Sequence, residues 1–111
     1  MDINDWRKKI DALDVLLVDL LNERTKVAQE IGHLKRETGM AVQEPDRERL
    51  VLQNVSQANR GPLRDSELRS IYEHIIAVMR NVQKEPIAAA AEPSDRFLWR
   101  APSGYRTPGR R

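Results

Sequence analysis

The sequence predicts an all-α protein, a three-helix chain with one long N-terminal helix, assembled as an intertwined homodimer. Three observations carry that expectation. An apolar series in steps of three and four runs through Ile3, Trp6, Ile10, Leu13, Leu17, Leu20, Val27, Ile31 and Leu34, a heptad seam with one gap. Only two of the six prolines, Pro45 and Pro62, fall in the first 84 residues, where they read as breaks between helices. The same stretch has few of the β-branched and aromatic alternations that mark strands.

The first helix is expected at about residues 3–38. Asp2 or Asn4 can cap its start, and Gly39 can end it in a left-handed turn. Leu16 and Leu21 widen the seam beyond a two-stranded zipper, toward a helix packed against several neighbours. Gly32 inside it costs roughly 1 kcal/mol relative to alanine, and its missing side chain permits close approach of another helix. The second helix, at about 45–60, starts with Pro45 at its first position, where the lost N–H costs nothing. Val51, Val55 and Ala58 mark its buried side, and Arg60-Gly61-Pro62 ends it. The third, at about 65–84, has Asp65 or Ser66 as candidate caps and an apolar line through Leu68, Ile71, Tyr72, Ile75, Met79 and Val82.

Length then bears on assembly. A helix of about 36 residues is about 54 Å long, whereas a domain of 84 residues has a diameter of roughly 30 Å. Its own chain cannot cover such a helix, so an apolar stripe along its whole length calls for a second copy, most simply in a two-fold dimer.

Residues 1–84 therefore read as one helical domain and 85–111 as a tail carrying four prolines. The body holds 14 basic and 14 acidic side chains, so the net charge of +2 lies in the tail. The basic isoelectric point is thus no evidence for a nucleic-acid-binding body. With no cysteine there is no disulfide scaffold, thiol nucleophile or thiolate metal site. His33 and His74 lack partners at ligand spacing, so no metal is expected, and His33 is expected at the surface. There is no Gly-rich phosphate loop and no Ser-His-Asp arrangement. No apolar run approaches the roughly 20 residues that span a bilayer. The N-terminus MDINDWRKK lacks the apolar core of a signal peptide. The expectation is a soluble, cytoplasmic protein without membrane or nucleic-acid partners.

Residues that break the pattern suggest the site. Arg24 takes the place in the series Ile3, Ile10, Leu17, Arg24, Ile31 where an aliphatic side chain belongs. A guanidinium there must pair internally, for example with Glu48 or Glu23, snorkel to solvent, or bind an anion. Lys35 lies within roughly 20° of Arg24 on the same helix face and about 16 Å along the axis. Two long cationic side chains converging on one space imply a ligand with at least two anionic groups; otherwise Lys35 is a solvated lysine near a helix C-terminus. Arg7 is about 25 Å from Arg24 and turned by roughly 100°, so it is either a surface arginine or reaches the site of a partner chain. Arg47 points toward the apolar side of the second helix, while Asp46 and Glu48 suit its first turn through the helix dipole. Gln83 ends the row Tyr72, Ile76, Met79, either as a fraying residue or as a neutral donor at a site.

The blocks WRKKIDALD, LLNERTKVAQEIGHLK, VQEPDRERL and IYEHIIAVMRNVQ, in this order and spacing over residues 5 to 84, resemble the all-helical chorismate mutases. The resemblance implies a dimer of intertwined three-helix chains. It implies a cofactor-free [3,3] rearrangement of the dianion chorismate to prephenate in phenylalanine and tyrosine biosynthesis. By matching position, Arg24 would clamp one carboxylate and Arg7 of the other subunit a second. Lys35 would bridge a carboxylate and the ether oxygen, and Gln83 would donate to that oxygen from the opposite side. Arg47 would add positive field, Glu48 would accept from the ring hydroxyl, and Glu44 would help hold that hydroxyl through its backbone. Met79 falls where the family commonly has a small hydroxyl or thiol residue, a loss expected to weaken binding by about 0.5–1.5 kcal/mol. Glu44 falls where aspartate is common.

Two other readings remain open on the sequence. An isochorismate-pyruvate lyase uses the same fold and a similar cationic pocket, and a non-catalytic helical module would use the seam only to dimerise. The tail, with Phe97, Leu98, Trp99 and Tyr105 among Arg96, Arg100 and Arg106, has no counterpart in the resemblance. It reads as a disordered extension, a flap, or a docking peptide for an enzyme of the same pathway.

Overall fold

The computed structural model describes residues 1–85 and contains three helices, α1 (Ile3–Thr38), α2 (Pro45–Ala58) and α3 (Asp65–Lys84), with no strand among the described residues. The tail expected over 85–111 lies outside the described residues, apart from Glu85. No helix of the described residues is long and apolar enough to cross a membrane.

Each boundary has a local cause. The Asp2 carboxylate accepts from the Asp5 amide while the Asp5 carboxylate accepts from the Asp2 amide, so the orphan N–H groups at the start of α1 are satisfied reciprocally. Gly39 closes α1 at φ 71°, and its N–H and that of Met40 both return to the Lys35 carbonyl. α2 stops at Ala58, two residues before the expected end. Asn59 turns the chain by donating to the Leu63 carbonyl and the Asp65 carboxylate, while its side-chain oxygen accepts from the Gly61 amide. Because Asp65 is held by Asn59, neither it nor Ser66 caps α3; Arg64 occupies that position without a side-chain cap.

α3 packs against both α1 and α2 and is the element between them. The buried apolar residues are Ala28 from α1, Val51 and Val55 from α2, and Ile76 and Met79 from α3, with Asn54 the most deeply buried polar side chain. The face of α1 turned to α3 is the line Ala28, Gly32, Lys35, one step around the helix from the seam residues Val27, Ile31 and Leu34, which stay exposed. Gly32 decides this choice. A Cβ placed on it would lie 2.7 Å from the Cα and 2.9 Å from the carbonyl carbon of Gln83, so the two backbones meet where a side chain is missing. Thirteen large apolar side chains of α1 remain exposed, from Ile3 to Leu34, far more than scattered surface residues explain.

The close approach sets a sign. On helix propensity alone Gly32→Ala would stabilise by about 1 kcal/mol. The collision with backbone, which cannot rotate away, is expected to outweigh this and destabilise by about 1–3 kcal/mol. Denaturant unfolding of the variant checks the sign; a stabilised Gly32→Ala would contradict the contact.

Candidate active site

The C-terminal half of α1, the segment between α1 and α2, the first turns of α2 and the last turns of α3 enclose a cavity of about 650 Å³. Leu20, Val27, Ile31, Val51, Tyr72 and Ile76 give it apolar walls. Its charged lining is four cations, Arg24, Lys35, Arg47 and Arg80, and three carboxylates, Glu23, Glu44 and Glu48.

Lys35 is the most constrained of these. It is only 7% exposed, and its three ammonium protons have three acceptors: the Val42 carbonyl at 2.9 Å, Gln83 Oε1 at 2.8 Å and Glu44 Oε1 at 2.8 Å. Burying an ammonium requires such partners. Glu44 stands at the N-cap of α2 but makes no cap hydrogen bond, because its carboxylate is turned to Lys35. The Gln83 amide, accepting from Lys35 through oxygen, is left with its nitrogen as a donor. Its backbone carbonyl, one of the unsatisfied acceptors at the end of α3, takes the Arg36 guanidinium at 2.6 Å. Gly32 beneath and Arg36 beside it thus hold the end of α3 on α1 and bring Gln83 to Lys35.

Glu48, one of the two partners the internal salt-bridge reading offered Arg24, does not pair with it; Arg80 Nε of α3 lies 3.0 Å from Glu48 Oε2. Glu23 lies 3.5 Å from Lys26. Among the described residues the half-buried Arg24 guanidinium has no hydrogen bond or ion pair, while facing the same cavity as Lys35. Met79 is buried, its sulfur 3.8 Å from the Thr25 hydroxyl.

The structure therefore gathers seven of the eight sequence-derived candidates, Arg24, Lys35, Glu44, Arg47, Glu48, Met79 and Gln83, around one cavity, and leaves Arg7 outside it on the exposed N-terminal half of α1. His33 sits on the surface with Nε2 3.0 Å from Glu37. Among the described residues no group of three or more His, Asp or Glu is placed to hold a metal ion. Sequence reasoning missed Arg80. A signal existed, since Arg80 lies four residues after Ile76 and three before Gln83, on the face of α3 that carries both.

Residues 6–84 match the family description "Chorismate mutase type II". The chain belongs to that family. Similar proteins include the bifunctional chorismate mutase/prephenate dehydratase of Aquifex aeolicus, 30% identical over 104 residues that cover 90% of this chain and 29% of the relative. The enzyme of the same name from Neisseria gonorrhoeae is 35% identical over 95 residues, covering 86% of this chain and 26% of that protein. The chain thus spans less than a third of the length of these bifunctional relatives. Among solved structures, the form II chorismate mutase of Thermus thermophilus superposes with a TM-score of 0.72 at 30% identity, covering 74% of this chain and 93% of that one. The chorismate mutase type II match begins at Trp6 and ends at Lys84, within the three helices described above.

Proposed function

We propose that this chain is a chorismate mutase, converting chorismate to prephenate within a homodimer whose two active sites are shared between subunits. The observation that carries the reading is the Lys35–Gln83 pair, which places a fixed ammonium and an amide donor in one cavity with Arg24. The reaction is unimolecular and needs no nucleophile or proton transfer. The protein has to hold the compact conformer of the substrate and stabilise negative charge developing on the ether oxygen. A million-fold acceleration asks about 8 kcal/mol of those two effects.

In this reading Arg24 clamps one carboxylate, and Arg7 of the second copy clamps the other. Lys35 contacts a carboxylate and the ether oxygen. Gln83 Nε2 donates to the same oxygen, Arg47 adds positive field, and Glu48 accepts from the ring hydroxyl. To contact both substrate oxygens Lys35 gives up two of its three present acceptors, and the Glu44 carboxylate, 35% exposed, is one that water can solvate when it leaves. Glu44 keeps a part in holding the hydroxyl through its backbone. Buried Met79 supplies shape and no strong donor. The exposed apolar length of α1 is the surface the intertwined second copy covers. In this reading residues 85–111 serve as a docking peptide for an enzyme of the same cytoplasmic pathway.

The test is to offer chorismate and isochorismate to the purified protein and follow prephenate, and salicylate with pyruvate. Prephenate formation is expected; salicylate alone would give the lyase, and neither product would sink the catalytic reading. Because the Gln83 amide does not titrate, kcat/KM is expected to be nearly flat from about pH 6 to 8. A steep rise toward acid, with the protein still helical, would place a carboxylic acid in the role given to Gln83.

A further inference from the structure

We infer that Arg80 is a positioning residue that acts through Glu48, aiming this carboxylate at the substrate's ring hydroxyl; the inference rests on the chorismate mutase reading. Arg80 and Glu48 come from different helices, α3 and α2, and meet across the cavity with Nε 3.0 Å from Oε2. Both line the cavity, and their side chains are 34% and 22% exposed, so the two charges face each other as an ion pair partly shielded from solvent, without a hydrogen bond from Nε. Glutamate has three side-chain torsions, and without a second anchor its carboxylate can turn to solvent. Attraction of Oε2 to the guanidinium restricts those torsions and leaves Oε1 available to accept.

The placement on α3 adds to the case. Arg80 precedes Gln83 by three residues, so one turn of helix delivers both the amide for the ether oxygen and the clamp on Glu48. The contacts of Gly32 and Arg36 with Gln83, which hold the end of α3 on α1, therefore set the position of Arg80 as well. A ligand hydroxyl would meet an acceptor already oriented before it arrives.

The experiment compares chorismate with its analogue lacking the ring hydroxyl, on wild-type protein, Arg80→Leu and Arg80→Lys. Arg80→Leu is expected to lower kcat/KM for chorismate about tenfold while leaving the hydroxyl-free analogue within about twofold. Arg80→Lys should recover part of the loss, since a lysine can still pair with Glu48. In a Glu48→Ala background the leucine substitution should have no further effect on chorismate. Equal losses on both substrates, or a full penalty persisting without Glu48, would make Arg80 a general structural or field residue and overturn the inference. Should wild-type protein turn over neither substrate, the catalytic reading itself falls, an outcome distinct from an active enzyme indifferent to Arg80.

Discussion

Lys35→Ala is expected to lower kcat/KM for chorismate on the order of 10³-fold, the scale of removing a donor aimed at developing charge. The expectation follows from how little freedom this ammonium has. It is buried, sits on the α1 face packed to α3, and is held by three acceptors, two from the segment between α1 and α2 and one from α3. Nothing has to reorganise for it to meet an oxyanion except the exchange of one acceptor. Removing it leaves the Val42 carbonyl and Gln83 Oε1 without their common donor. Stability should fall too, by about 1–2 kcal/mol, below the usual cost of breaking a buried pair because water can reach Glu44. Steady-state kinetics beside thermal unfolding separates the two effects. A loss of activity no larger than about tenfold, with folding intact, would take Lys35 out of the ether-oxygen role.

The fold was legible because its signals are local and redundant. The seam, Pro45 and Gly39 each mark one boundary independently, and the helices begin and end close to those marks. The face of α1 that meets α3 was legible only at Gly32, whose missing side chain marks a close approach. Periodicity selects the most apolar line, whereas the packed line runs through Ala28, Gly32 and Lys35, two of them small residues and one a cation. Shape decided it: the absent Cβ of Gly32 admits the Gln83 backbone, and hydropathy does not register a missing atom. Much the same holds at the site. Arg24 and Lys35 stood out because they interrupt an apolar face, but Arg80 sits where a charge disturbs nothing obvious. Its significance comes from Glu48 on another helix, 32 residues away in sequence, a pairing that no single-helix pattern contains.

Arg7→Ala and Arg24→Ala are each expected to lose activity by about 10²–10³-fold, and their mixture is expected to regain it. Arg7 and Arg24 are about 25 Å apart along one helix, and only Arg24 lines the cavity, so joint action on one ligand requires two chains. In an antiparallel two-fold pair of α1 helices that sets Arg7 of one copy beside Arg24 of the other, the midpoint falls between Val15 and Leu16. Around that midpoint Val15, Leu16, Leu17 and Val18 all stand about half exposed or more in the single chain. The register that shares the site is therefore also one that centres the bare apolar stretch on itself. When the two variants are unfolded and refolded together, half of the dimers should be mixed. Each mixed dimer has one site with both arginines and one with neither, so about a quarter of all sites return. Mixing Arg24→Ala with Lys35→Ala supplies the contrast, because both residues belong to the same wall and no complete site can form. Native mass spectrometry counts the mixed dimers while prephenate formation counts the sites. Mixed dimers without recovered activity would show that Arg7 does not act across the interface, and the shared site would have to be abandoned.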